Sequence, residues 1–358
     1  MRTFHLFTAA LVGAMVLILP DGLAHADPPE PSDYRSVITA ISPPTDAIEP
    51  RLVGDGSVIE LTVTAGTDVS VSGYQAEPYL HFQPDGTVAE NMRAPTTYLN
   101  RSLNGDPIPA EASASGQPQW SVVATDGSYA WHDHRTHWMG GSPPPDAQRG
   151  DEIQAGVVHL LVDGKPVEIS ISTQWVDSPS PVPLLVGALL GGVLLLVAAV
   201  LRRSVLWVLL AAATAALVIG WWQYRSIPAA VGPPVVWWLL PAVAVVCTAL
   251  ALIIRNRLVA HGLAILAALE LAAWLYQRRG VATRATLPTD APYWLDRGVV
   301  AATAVTVLAL VITQLAAVFQ DGDLSSPDGR PPRHRRAGAP AALPPAAPRR
   351  RRQGPSPD

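Results

Sequence analysis

The chain has 358 residues, 49% of them apolar and only 15% charged, so it is long enough for two domains but too poorly charged for one soluble globule. Its single cysteine excludes an intramolecular disulfide and any paired-cysteine zinc or redox motif. The net charge of −4 hides two opposite parts: residues 27–180 carry 21 acidic and 7 basic side chains, and the remainder carries 8 acidic and 18 basic, which excludes nucleic-acid binding by the acidic part.

In chain order, Arg2 and the apolar stretch Leu6–Leu19 read as a secretory signal. Ala24-His25-Ala26 fits a small-x-small cleavage site, so residues 1–26 are expected to be a signal peptide. Cleavage after Ala26 would start the mature chain at Asp27, whereas cleavage after Ala24 would expose His25. Residues 27–180 are expected to form an extracytoplasmic domain. Its first stretch, 27–50, is rich in proline and reads as extended. Short β signals follow at Val58–Val63, Val69–Ser72, Tyr79–Phe82 and Trp120–Val123, broken by glycine, proline and aspartate. Residues 94–118 lack a period and read as a loop. The clearest hairpin joins Val157–Val162 to Val167–Val176 across Asp163-Gly164. About seven short strands of this kind predict an all-β immunoglobulin-like sandwich, with Trp120, Trp175 and the valines as its core.

One segment of this domain carries chemistry. Tyr129-Ala130-Trp131-His132-Asp133-His134-Arg135-Thr136-His137-Trp138-Met139 holds three of the five histidines between residues 27 and 180. Neutral imidazole is the commonest metal ligand. On a strand, His132 and His134 would share one face, about 7 Å apart, and His137 would join if the chain turned. Met139 adds a thioether. That set suits copper, and zinc through the imidazoles alone. Asp133 could be a ligand or could orient a histidine from behind. It could also pair with Arg135 across the other face. The competing reading is structural: an amphipathic strand with hydrogen-bonded histidines that docks a protein partner. His132–His137 also fits HxHxxH, which resembles the metallo-β-lactamase motif, but Thr136 stands where that family needs aspartate. No Ser/His/Asp order, phosphate loop or paired-carboxylate pattern is present, so no enzyme is expected.

From Val182 the pattern changes to five apolar runs of bilayer-spanning length: 182–201, 205–222, 235–254, 258–276 and 299–319. Residues 181–320 are therefore expected to be an all-α polytopic membrane domain in contact with the lipid bilayer. Arg202, Arg203, Arg255, Arg257 and eight arginines from Arg330 to Arg352 fall on one side of these spans. Five arginines fall on the other. The excess marks the cytoplasm, which places the protein in the cell membrane with an extracytoplasmic N-terminal domain. Residues 321–358, rich in Arg, Pro and Ala, read as a disordered cytoplasmic tail. Glu270 is an acid within a span and a functional candidate for that reason. The alanine, arginine and proline richness points to a bacterial genome.

Three short patches carry a resemblance. Ala24-His25-Ala26, Ser42-Pro43-Pro44-Thr45-Asp46-Ala47 and Trp120-Ser121-Val122-Val123-Ala124-Thr125-Asp126-Gly127 resemble segments of CopC-type periplasmic copper-binding domains. The resemblance implies copper(II) held by an N-terminal histidine, here His25, and an Asp-x-His pair. Ser128 stands where that family's late histidine would be. The expectation that follows is a membrane-anchored metal-binding protein in metal handling or delivery to a partner. The alternative is a protein-interaction module or an accessory subunit of a membrane complex.

Overall fold

The computed structural model describes residues 28–324 except Leu103 and Arg203, with side chains to residue 313. The expected signal peptide, His25 and the tail from residue 325 onward lie outside the described residues. Ten strands come first: β1 (Tyr34–Ser42), β2 (Ile48–Val53), β3 (Val58–Val63), β4 (Val69–Ser72), β5 (Pro78–Phe82), β6 (Val88–Asn91), β7 (Trp120–Ala124), β8 (Ser128–His132), β9 (Glu152–Val162) and β10 (Lys165–Trp175). A short helix, α1 (Pro95–Leu99), interrupts the segment expected to be all loop.

The strands pair antiparallel in two sheets, of order β1-β10-β9-β4-β5-β6-β7 and β2-β3-β8. The β9–β10 hairpin turns at Asp163-Gly164, where φ of +48° and +74° gives the doubly left-handed turn that suits strand twist. β1 and β2 come from the segment expected to be merely extended. Their own β signals are weak, and pairing partners supply what local preference does not: Tyr34 faces Trp175, and Ile48 faces Val63. Inward positions of both sheets meet in one core that includes Ile59, Leu61, Val71, Tyr79, Phe82, Trp131, Leu160 and Ile169. The tryptophan at its centre is Trp131. Trp120, expected there, is 41% exposed because β7 is an edge strand. Trp175 is half-buried beneath the Arg149 guanidinium.

Five long helices follow: α2 (Val182–Val200), α3 (Leu206–Ser226), α4 (Val236–Ile253), α5 (Arg257–Gln277) and α6 (Tyr293–Leu324). All five are long and apolar enough to cross a membrane. The last span begins at Tyr293, not at Val299, and the charges in its first turns are satisfied internally. Asp296 pairs with Arg278, which also donates to Gln223, in a cluster almost sealed from solvent. Arg297 donates to the carbonyls of Val281 and Arg284 at 3.1 and 2.7 Å. Helix α2 approaches α6 through glycine. A Cβ at Gly187 would lie 2.1 Å from the Gly298 carbonyl oxygen, and one at Gly191 would lie 3.0 Å from that of Ala302. This is the small-xxx-small contact that lets apolar helices meet backbone to backbone.

The β region is fastened to one end of the bundle. Val53, Val58 and Ala130 share a buried cluster with Ile227, Val231 and Trp237. Ser32 exchanges backbone hydrogen bonds with Thr286, and Asp33 pairs with Arg284 at 2.9 Å. The strand that ends in His132 is thus braced against the loops that cap the helices.

Candidate metal centre

The histidine segment does not continue as a strand past His132. Asp133 ends β8 and organises a turn with both its side chain and its carbonyl. Its Oδ1 accepts the Arg135 backbone N–H at 3.0 Å, and its carbonyl accepts those of Thr136 N–H at 3.1 Å and Thr136 Oγ1 at 2.8 Å. His132 and His134 therefore do not gain their proximity from strand alternation, as expected above. The turn folds the chain back so that all three imidazoles meet. Their ring centroids lie 5.0 Å (His132–His134), 4.8 Å (His132–His137) and 6.1 Å (His134–His137) apart.

Each ring presents bare nitrogen. Nε2 of His132, His134 and His137 is buried without a hydrogen-bond partner, and so is Nδ1 of His132. His137 is oriented through its other nitrogen, which donates to the Asp133 carbonyl at 2.9 Å. His134 hydrogen-bonds the backbone of Ser102 and stacks on the Tyr74 ring. Burial, reinforced by the neighbouring imidazoles His137 and His134, lowers the His132 pKa to about 3. Burial, and then His137, also lowers that of His134. Both rings are therefore neutral at physiological pH, the form that binds metal. A buried polar atom left unpaired costs about 1–3 kcal/mol, so four of them around one point are an unusual concentration.

The Asp133 carboxylate turns away from the imidazoles. Burial alone would raise its pKa, but the Arg135 guanidinium, with Trp131 Nε1–H and the Arg135 backbone N–H, holds it below the usual carboxylate range. Arg135 donates to it at 2.9 and 2.7 Å, and Trp131 at 2.9 Å. Asp133 thus stands behind the histidines, and the expected Asp133–Arg135 pairing is present. Met139 is 43% exposed and lines a cavity that His132 and His137 also line. His81 and His159 lie elsewhere, bound to Asp68 and Glu168.

Sequence reasoning missed the scaffold around the turn. Tyr74 Oη accepts the His134 backbone N–H at 2.9 Å and donates to Asn100. Thr136 Oγ1 reaches the Gly56 carbonyl at 2.6 Å. A Cβ at Gly156 would fall 1.8 Å from the Arg135 carbonyl oxygen, so only glycine lets β9 approach the turn. Tyr74 and Gly156 carry no local signal, being 60 and 21 residues from the atoms they contact. Among the described residues, no group of three or more His, Cys, Asp or Glu side chains is placed to hold a metal ion.

Of the CopC-like patches, two meet at the end of β3 remote from His132. Thr64 donates to the Ala47 carbonyl and Val63 to that of Gly127, while His132 pairs with Val58. Glu270 is buried within α5, and the Arg225 guanidinium lies over the Trp221 ring. Known protein families, curated sequences and solved structures offer no match to the chain.

Proposed function

We propose that the protein is a membrane-anchored, extracytoplasmic metal-binding protein, not an enzyme, which holds copper at His132, His134 and His137 for handling or delivery to a partner. The observation that carries the proposal is the convergence of three imidazoles with unpartnered, buried Nε2 atoms. Three imidazoles on one ion at about 2.05 Å would have centroids about 4.5–6 Å apart for ordinary coordination angles. Two of the observed separations, 4.8 and 5.0 Å, fall in that range, and the third, 6.1 Å, lies just beyond it. The His132 ring makes no hydrogen bond and can turn toward a common ion without breaking one. Met139 on the adjoining cavity tilts the choice from zinc to copper, because a thioether suits the softer ion. The arginine asymmetry supports an outward-facing β region, and the core shared by its two sheets supports an immunoglobulin-like sandwich.

The test is calorimetric titration of the full chain in detergent micelles with copper(I), copper(II) and zinc, against a competing chelator. The proposal expects one copper bound more tightly than about micromolar, lost in His132→Ala and His134→Ala with the fold retained. Weak, multi-site binding unchanged by those substitutions would overturn it. A second reading, a protein-interaction module, draws on one observation: edge strand β7 exposes Trp120 and Val122, at 41% and 62%. It would be favoured by a stoichiometric co-purifying protein in the absence of metal.

A further inference from the structure

The three Nε2 atoms are sealed from solvent, so an ion needs a route to them. A cavity of about 480 Å³ lies directly outside, lined by His132 and His137 on its inner wall. The rest of its wall includes Glu30, Asp33, Asp55, Ser57, Met139 and Arg284. Asp33 and Arg284 cancel as an ion pair. Glu30 and Asp55 have no ion-pair partner among the described residues, so the cavity keeps two negative charges. Asp55 is held in place by accepting the Ser57 N–H at 3.0 Å. Ser57 itself is only 6% exposed, and its Oγ is buried with no partner. The lining thus brings together a carboxylate, an unpartnered hydroxyl, and the unpartnered nitrogens of His132 and His137. Met139 also lines the cavity and is 43% exposed.

We infer that this cavity is the port through which the cation enters and leaves the histidine trio, drawn in by Glu30 and Asp55 and passed along Ser57 and Met139. The inference rests on the metal reading and adds to it a route and a charge requirement. Carboxylates in a recessed, partly enclosed space focus the field and raise the local cation concentration, an effect worth about tenfold or more in association rate and weakened by salt.

The experiment is stopped-flow mixing of the full chain in micelles with copper(II), read by quenching of the tryptophan fluorescence to which Trp131 and Trp138 beside the histidines contribute, at low and high ionic strength. Glu30→Gln with Asp55→Asn should associate about tenfold more slowly than wild type at low salt, with the gap closing as salt rises. Glu30→Gln alone, at an exposed position, should lose about threefold and guards against misfolding of the double variant. Glu111→Gln removes the same charge from an exposed loop and should change nothing. The port is overturned if wild type and both cavity variants bind one equivalent at equal rates. That result leaves the metal reading intact. If wild type binds no stoichiometric copper, the metal reading falls and the port falls with it.

Discussion

Acid should unfasten the β region, and His132 sets by how much. In the folded chain burial among two other imidazoles lowers its pKa from 6.5 to about 3. Between those values the unfolded chain carries a proton on His132 that the folded chain does not. Stability is therefore complete above about pH 6.5 and falls as the pH drops toward 3. The limiting slope is about 1.4 kcal/mol per pH unit, and the integrated loss from about pH 7.5 to about pH 5 is about 2 kcal/mol. His134, shifted in the same direction by burial, adds to it. The assay is urea unfolding of the full chain in micelles with a chelator present, followed by the tryptophan fluorescence to which Trp131 in the core contributes. His132→Phe keeps an aromatic ring in the site without a titrating group and should flatten most of the slope. Stability that is level across that interval, or an undiminished slope in His132→Phe, would refute the burial argument.

Three substitutions test the scaffold. Asp133→Asn leaves the Arg135 guanidinium without its countercharge in a site where Asp133 is fully buried, and should cost about 3–5 kcal/mol of stability by the same urea assay. Gly156→Ala drives a methyl into the Arg135 carbonyl and should cost about 1–3 kcal/mol. It should also weaken copper binding in calorimetry, because the Asp133–His137 turn must shift. In the membrane domain, Gly187→Leu should lower the thermal stability of the purified protein by separating α2 from α6. Gly192→Leu, where nothing lies within 4 Å of a Cβ, should leave it unchanged.

The amino-acid sequence made much of the architecture legible. The Val58–Val63 and Val69–Ser72 strands carry β-branched residues in runs bounded by turn residues, and the structure places both within those bounds. The Asp163-Gly164 hairpin was legible because only a few residue pairs tolerate two left-handed conformations in succession. Four of the five spans lie within a few residues of their apolar runs. The fifth begins earlier because Arg278, at the end of α5 and itself held by Gln223 of α3, satisfies Asp296. Strands β1 and β2 were hidden, since their pairing depends on partners distant in sequence. Trp120 and Trp131 look alike as tryptophans in short strands, and only the sheet order decides which faces the core.

The sequence alone determined the two-part plan, because bilayer length and charge asymmetry are properties of runs of residues. It also marked His132, His134, His137 and Met139 as one cluster. Tertiary structure decided how that cluster is built. The Asx turn at Asp133, the Tyr74 hydroxyl beneath His134, and the glycine at 156 bring the rings together. Burial then strips their Nε2 atoms of water, and His132 and His134 of charge. Those effects arise from contacts between segments tens of residues apart, which local pattern does not encode.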